Sequence, residues 1–482
     1  MIIKGYIFSV LYALVCLALG FALYKIGLAK KITRKIVHIL VGAEWIILYH
    51  FMGPNIHFLA VCLLFLVILV VSYKTNLMPM ISSDGDNSPG TVYYAVAMSI
   101  MAAITVLIPK MILPFGIGVF CTSFGDGLAG LIGQCVKSGV NKKIYGNKTL
   151  IGAVVNLISC FLVAFIFDSY FNLGLSLWHC IAIAILALEL ELFTGRGLDN
   201  ISITLGTSVL SYLFINFEAA PGYIIPILLT PLIIVFAYKK KALTISGIIS
   251  AIIVDILISV SLGNFGFVVL LSFFVGGVIV DKIKKYNKKI GQNSQNEIVK
   301  RGDCRDSVQV LANGAIATVC AILYMLTDER IFVIAFVASL AEAFADTAAS
   351  GIGVLSGQAF DPFRMKPCST GVSGGMSILG TLASLVAATI ISALSLIIGE
   401  FSIGEGIAVV VAAFLGVIFD SALGSLLQIK YKCIICGAIV EREDHCGTKT
   451  KKYSGLKLIT NDSVNFLGTL FAAIVAILLV LK

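Results

Sequence analysis

Apolar runs of roughly 17 to 25 residues recur from one end of the chain to the other, each about the length a helix needs to cross about 30 Å of hydrocarbon. About sixteen can be marked, near 5–24, 36–52, 56–73, 91–109, 111–136, 149–167, 176–193, 201–217, 221–238, 243–260, 265–281, 308–326, 331–350, 371–398, 406–429 and 463–481. With 59% hydrophobic side chains, 13% charged ones and a mean hydropathy of +1.02, a water-soluble fold is excluded. The fold class that follows is all-α, a polytopic integral membrane protein. The first run exceeds a signal-peptide core and lacks a strong basic leader, so it reads as a retained helix. No long Ser/Pro/Gly linker interrupts the series.

Basic loops stay on the cytoplasmic side during insertion. If residue 1 starts outside, the loops 25–35, 74–90, 137–148, 194–200, 239–241, 282–305, 356–370 and 430–461 fall inside. Of the 35 Lys and Arg, only Lys4, Lys110, Arg330 and Lys482 are then external, and both termini lie outside. The +9 net charge is therefore a topology signal, and no nucleic-acid partner is implied. The twelve cysteines sit mostly within the apolar runs as small fillers, so no disulfide framework is expected.

The segment FGDGLAGLIG, Phe124 to Gly133, matches FADTAASGIG, Phe344 to Gly353, at five of ten positions with an offset of 220. Each is followed by a polar inner loop and a small-residue helix start, Thr149-Leu-Ile-Gly-Ala and Thr370-Gly-Val-Ser-Gly. Two halves of about eight helices each, 1–220 and 221–482, follow as a parallel repeat. Chance likeness between Gly/Ala-rich helices is the alternative.

An ionisable side chain within hydrocarbon costs roughly 2.5–3.5 kcal/mol on insertion scales, so each needs a partner or a purpose. Arg34, Lys35 and His38 open the second run. Asp84 and Asp86 precede the fourth and Asp126 lies in the fifth. Lys142, Lys143 and Lys148 fill the next inner loop, and Glu191, Asp199 and Asn200 bracket a later one. Such groups suit phosphoryl transfer, in which a hard divalent cation such as Mg2+ bridges carboxylates and phosphate oxygens while Lys and Arg neutralise the rest. Asp126 stands between Gly125 and Gly127, which would let a phosphate or metal approach the backbone. Interhelical hydrogen bonding by Asp126 and Glu191, and headgroup anchoring by Arg34 and Lys35, are the bland alternatives.

In the second half Arg305, Asp306, Gln309 and Asn313 are expected to share a helix face, Asp346 lies in the thirteenth run, and Ser369 to Gly375, with Ser373 and Gly374, are read as opening the fourteenth. That start would offer free N–H groups to an anion, or serve only close packing. Asp420, Asn461, Asp462 and Asn465 complete the set. Cys433, Cys436, His445 and Cys446 are four candidate Zn2+ ligands in one inner loop, against a reading as redox-silent cysteines. His50, His57 and His179 read as interfacial residues at outer ends. No Walker A loop or protein-kinase signature is present.

The stretches Arg34-Lys-Ile-Val-His38, Ser88-Pro-Gly-Thr-Val-Tyr-Tyr94, Phe124-Gly-Asp-Gly-Leu-Ala-Gly130, Lys148-Thr-Leu-Ile-Gly152 and Gly197-Leu-Asp-Asn200 resemble, in order, motifs of the dolichol kinase and phytol kinase family. That resemblance implies CTP-dependent phosphorylation of a membrane prenyl alcohol, with Asp126 on metal, Lys142, Lys143 and Lys148 on the triphosphate, and Glu191 and Asp199 as further metal or nucleotide contacts. The second half is similar to the membrane family containing plant phytyl-phosphate kinase, through Arg305-Asp-Ser-Val-Gln309-Val-Leu-Ala-Asn313-Gly, Ala345-Asp-Thr-Ala-Ala-Ser350, Gly371-Val-Ser-Gly-Gly375 and Asp420-Ser-Ala-Leu-Gly424. It implies a second phosphorylation, from prenyl monophosphate to diphosphate, with Asp346 as the counterpart metal ligand. One departure is Gly351, where that family carries Glu after Ala-Ser. A fusion suits a substrate whose long tail, at about 0.8 kcal/mol per buried CH2, does not leave the bilayer readily. A CTP-dependent diacylglycerol kinase, a phosphatidate cytidylyltransferase and a secondary transporter with parallel repeats are the rival readings.

Overall fold

The computed structural model describes residues 1–75, 89–136, 142–145, 148–195, 197–290, 304–368, 370–437, 439–441 and 443–481. Asp84, Asp86, Ser88 and Ser369, singled out in the sequence, lie outside these. The chain divides into two compact units, Met1–Glu218 and Ala219–Lys482.

In the first unit, helices run α1 (Ile2–Lys25), α2 (Lys30–Gly42), α3 (Glu44–Phe51), α4 (Ile56–Thr75), α5 (Gly90–Leu107) and α6 (Ile112–Phe120). A π-helical turn, Cys121–Asp126, leads into α7 (Gly127–Cys135). A short hairpin of β1 (Lys143–Tyr145) and β2 (Lys148–Thr149) precedes α8 (Leu150–Phe171), α9 (Leu177–Phe193) and α10 (Asp199–Asn216). The second unit holds α11 (Ile224–Lys239), α12 (Ile245–Ile290), α13 (Ser307–Thr327) and α14 (Arg330–Gly353). Then come the hairpin β3 (Ala359–Asp361) and β4 (Lys366–Cys368), α15 (Ile378–Ile398) and α16 (Ile403–Leu426). A ribbon of β5 (Lys430–Lys432), β6 (Ile439–Val440), β7 (Asp444–His445), β8 (Thr448–Lys449) and β9 (Lys451–Ser454) leads to α17 (Asn461–Val480).

Helix covers each of the apolar runs, but length and composition give fewer independent spans than sixteen. Among the described residues eleven helices are long and apolar enough to cross a membrane, with α11 as a shorter apolar helix. The difference has local causes. The run 36–52 is broken at Ala43 into α2 and α3, of 13 and 8 residues. Helix α9 is 17 residues long, and α10 is studded with buried hydroxyls whose Oγ atoms donate back to carbonyls four residues earlier, at Thr204, Thr207, Ser208 and Ser211. Two predicted runs are joined in α12 across a kink at Gly263, where φ is 59°. Only glycine adopts this backbone freely, and a Cβ there would also overlap the carbonyl oxygen of Pro221.

Small residues set how closely the helices approach, as expected where lipid removes the hydrophobic drive between them. Gly116 faces the rings of Trp45 and Phe167, and Gly118 faces Ser208 and the Thr204 carbonyl oxygen on α10. A Cβ on Gly118 would sit 2.5 Å from that carbonyl, which cannot yield without moving α10. Gly118→Val is therefore expected to cost roughly 1–3 kcal/mol by overpacking. Thermal unfolding in detergent should show a lowered midpoint. Gly404→Ala, whose nearest neighbour would be Ser402 Oγ at 4.0 Å, should leave it unchanged.

In the second unit α14 is the hub, packed by α12, α13, α15, α16 and α17. Its buried Ala335, Ala338, Ala341, Ala345 and Ala348 make that possible.

The two hairpins return the chain onto the next helix in the same manner. Thr149 Oγ1 caps α8 by accepting from Gly152 N at 3.3 Å, and Ser377 Oγ caps α15 by accepting from Gly380 N at 3.1 Å. A Cβ on Gly133 would lie 2.9 Å from Thr149 Oγ1 and 3.5 Å from Gly152 Cα. One on Gly353 would lie 3.0 Å from Ser377 Oγ and 3.3 Å from Gly380 Cα. The helix start read at 371 is thus corrected: α15 begins at Ile378. The segment from Thr370 to Gly375 is a turn, with Gly371 and Gly374 at φ of 85° and 87°.

Candidate active sites

The π turn sets the geometry of the first cluster. Such turns are rare and concentrate at functional sites, and this one carries Ser123 and Asp126. Gly42 leaves no Cβ to collide with Ser123, so α2 comes close. The Lys35 stem crosses Gly130, where a Cβ would sit 2.5 Å from Lys35 Cε. Lys35 Nζ then donates to Asp126 Oδ2 at 2.6 Å and to its carbonyl oxygen at 3.2 Å. One turn on, His38 Nε2 is 3.9 Å from Asp126 Oδ2. Its ring meets Tyr94 edge-on, and the Tyr94 hydroxyl is 3.3 Å from Ser123 Oγ.

Lys148, on β2, reaches the same place from the hairpin. Its Nζ is 3.2 Å from Glu191 Oε1, 3.2 Å from Asp199 Oδ2 and 4.0 Å from Asp126 Oδ1. Burial works against its charge, yet Glu191, Asp199 and Asp126 together hold the ammonium pKa above the ordinary lysine value. Beside it Asn200 Nδ2 donates to the carbonyl oxygen of Gly90 at 2.9 Å, tying the start of α10 to the start of α5. Asp126 and Glu191 are only 5% and 4% exposed. His38 Nε2, Glu191 Oε2 and Asn200 Oδ1 are buried without a hydrogen-bond partner, a condition that calls for an explanation in a native protein.

One expectation about this cluster is corrected. The glycines flanking Asp126 do not leave an open approach: a Cβ on Gly125 would meet Cys160 and Asn156, and one on Gly127 would meet Ile39. They serve the packing of α8 and α2. Of the three loop lysines Lys148 enters the cluster, whereas Lys142 and Lys143 are exposed on the hairpin arm. Arg34, partly exposed, sits on α2 beside Lys35.

In the second unit Glu342 and Asp346, one helical turn apart on α14, lie within electrostatic reach of each other, and Glu342 also of Asp420 on α16. Gly416 and Gly468 make room for Glu342, whose Cγ would lie 2.5 Å from a Cβ on Gly416. Glu342 Oε1 and Asp420 Oδ2 are buried without a hydrogen-bond partner. A polar chain continues outward, from Asn461 Nδ2 to Asn465 Oδ1 at 3.2 Å and from Asn465 Nδ2 to Asn313 Oδ1 at 3.5 Å.

Gln309 and Asn313 share a face of α13, with Asn313 Nδ2 donating to the Gln309 carbonyl oxygen at 3.1 Å. Arg305 and Asp306 do not continue that face. Asp306 is the N-cap, exchanging hydrogen bonds with Gln309 in a capping box, and Arg305 precedes the helix with NH2 3.7 Å from Asp281. Arg305, Gln309 and Asn313 line a cavity of about 110 Å3 together with Asp255 and Thr230.

The Ser373–Gly374 turn is held by residues the sequence reading passed over. Lys430 Nζ donates to the Ser373 carbonyl oxygen at 2.8 Å, Ser373 Oγ bonds Glu441, and Gln428 Nε2 donates to Glu441 Oε1 at 2.9 Å. Arg364 NH2 donates to the Ser425 carbonyl oxygen at 2.6 Å, and Ser425 Oγ to Asp361 Oδ2 at 2.6 Å. Burial, together with Arg364 nearby, keeps the Lys430 ammonium below the ordinary lysine value. Glu342 was also missed. Its signal was a lone Glu four residues before Asp346 in an alanine-rich stretch, hence on the same helix face.

The model of the Integral membrane protein DUF92 family matches residues 228–473. The chain belongs to that family. It is also similar to Protein PGR of Arabidopsis thaliana, 26% identical over 287 residues, which is 53% of this chain and 96% of that protein. To the phytol kinase of a Synechocystis species it is 29% identical over 192 residues, 38% of this chain and 78% of that one. To the chloroplastic Protein VTE6 of Arabidopsis thaliana it is 27% identical over 245 residues, 49% and 65% of the two chains. No solved structure matches.

Proposed function

We propose that the protein is a membrane prenol kinase: its first unit transfers phosphate from CTP to a prenyl alcohol, and its second transfers another to the monophosphate. The observation that carries this reading is the position of Lys148, one ammonium shared by Asp126, Glu191 and Asp199 from three separate elements. Such a site neutralises both signs of charge where a polyphosphate arrives. The likeness to a phytol kinase supports a prenyl alcohol as acceptor. CTP as donor is carried over from the motif resemblance.

The first cluster fits a hard divalent cation. Its donors are carboxylate oxygens, and Glu191 Oε2 is buried without a partner. Asp126, Glu191 and Asp199 would hold Mg2+, which would supply charge neutralisation on the transferring phosphate. The chain's own groups do the rest. Lys35 and Lys148 turn from carboxylates to phosphate oxygens, and Lys142 and Lys143 hold the outer phosphates from the exposed arm. His38 Nε2, free to accept, takes the alcohol proton as its oxygen forms the new O–P bond and the bond to CDP breaks. Asn200 and Arg34 orient nucleotide at the rim.

In the second unit Glu342, Asp346 and Asp420 would hold the corresponding Mg2+, and Arg305, Arg364 and Lys430 would meet the phosphates. The Gly351 departure does not empty this set. On a helix, positions 346 and 351 are about 140° apart, and a Cβ at 351 would overlap Val280 in the packing of α12. Glu342 supplies the further carboxylate. An open apolar groove of about 690 Å3 between α12, α14 and α15, walled by Val280, Phe344, Ala348, Leu382 and Val386, is suited to a prenyl tail.

The matching packing of Gly133 on Thr149 and Gly152, and of Gly353 on Ser377 and Gly380, supports the tandem-repeat reading. Lys148, Glu191 and Asp199 sit at element ends, and Asp346 and Asp420 in the last third of their helices, on the side that the basic loops assign to the cytoplasm, where nucleotide is available.

A transfer assay tests the proposal. Protein in lipid bilayers receives magnesium, γ-labelled CTP and farnesol, geranylgeraniol or phytol. Label should enter the lipid phase as monophosphate and then diphosphate. CMP attached to lipid would mean a cytidylyltransferase, and substrate accumulation without nucleotide use a transporter; either result rejects the proposal.

A further inference from the structure

We propose that the ribbon between α16 and α17 is built around a structural zinc ion held by Cys433, Cys436, His445 and Cys446. The candidate ligand atoms, three Sγ and one imidazole nitrogen, all lie within 4.8 Å of one another. A tetrahedral site with Zn–S bonds of about 2.3 Å places its sulfurs about 3.8 Å apart, so little movement closes the shell. Cys436 Sγ and Cys446 Sγ are 3.4 Å and 3.2 Å from His445 Nδ1.

Each of two turns places a left-handed glycine directly after a candidate ligand. Cys436 is followed by Gly437 at φ 71°, whose N–H donates to the Cys433 carbonyl oxygen at 3.0 Å. Cys446 is followed by Gly447 at φ 73°. His445 and Cys446 are adjacent in the chain, a tight arrangement for two ligands of one ion. It is resolved because Cys446 is itself left-handed, at φ 52°, which swings its side chain to the same side as the imidazole. A non-glycine residue in that conformation is uncommon.

The ion would sit in a ribbon that holds the second candidate site. Strand β5 starts with Lys430, bonded to the Ser373 carbonyl, and runs into Cys433. Strand β6, paired Tyr431 to Val440 and Lys432 to Ile439, ends beside Glu441, bonded to Ser373 Oγ. The knuckle between β5 and β6 therefore fixes the spacing of Lys430 and Glu441. That bearing on the second transfer rests on the proposed function, whereas the metal site rests on geometry alone.

The test reads metal, not activity. Full-length protein carrying a tag without His or Cys, purified without chelator, should contain about one zinc per chain by mass spectrometry. A strong chelator should release it and expose three additional thiols to a thiol reagent. Replacement by Co2+ should give the visible bands of a tetrahedral thiolate site. Cys436→Ser with Cys446→Ser should remove the metal. Zinc far below one per chain in the unaltered protein, thiols that appear only after a reductant, or full zinc retention in the double variant would overturn the assignment. The unaltered protein and its cobalt spectrum decide the matter even if the variant does not fold.

Discussion

Asp126→Asn is expected to lower the turnover of prenol to monophosphate by about 10²- to 10³-fold, the size of effect seen when one preorganised electrostatic group is lost from a site where charge develops. Asp126 stands where Lys35, His38 and Lys148 meet. The amide keeps the shape but removes a negative charge, leaving two ammonium groups with less to oppose them and a weaker metal set. Lys35 keeps the Asp126 carbonyl oxygen as an acceptor, so the fold is expected to survive. The check is a progress curve for lipid monophosphate at saturating nucleotide. Added monophosphate should still be carried to the diphosphate by the same variant, because the second unit has its own carboxylates.

Asp346→Asn should do the reverse. Monophosphate accumulates at the unaltered rate while diphosphate formation falls by a similar ~10²-fold or more. Asp346, Glu342 and Asp420 bring three carboxyl groups together, and replacing one with an amide removes an anionic donor from the set that would hold the cation. Chromatography of labelled lipid, with monophosphate and diphosphate resolved, reads both steps at once. Loss of both products in Asp346→Asn would mean that the units do not work in sequence.

Hydropathy made the helices legible because lipid imposes one period and one length on every span. It could not show the break at Ala43 or the joining of two runs across Gly263, since both depend on which residues pack against the backbone. In the first site Lys35, His38, Asp126, Lys148, Glu191, Asp199 and Asn200 stood out in the sequence because polar groups are conspicuous in an apolar chain, and they converge in the fold. The π turn beneath Asp126 left no such mark, because it answers to the approach of α2 and α8.

In the second unit the signal was weaker. Arg364 and Lys430 lie in charge-rich loops where no single cation stands apart. The turn at Ser373 and Gly374 resembled a helix start because glycine and hydroxyl residues suit both roles. There the two left-handed glycines decided the outcome.

The central claim is phosphoryl transfer to a membrane prenol, and the mass of the lipid product tests it most directly. Purified protein in a bilayer with a prenyl alcohol, magnesium and CTP should yield the alcohol heavier by one PO3H unit, then by two, with CDP released in step. An unchanged alcohol, or a lipid carrying CMP, would contradict the account.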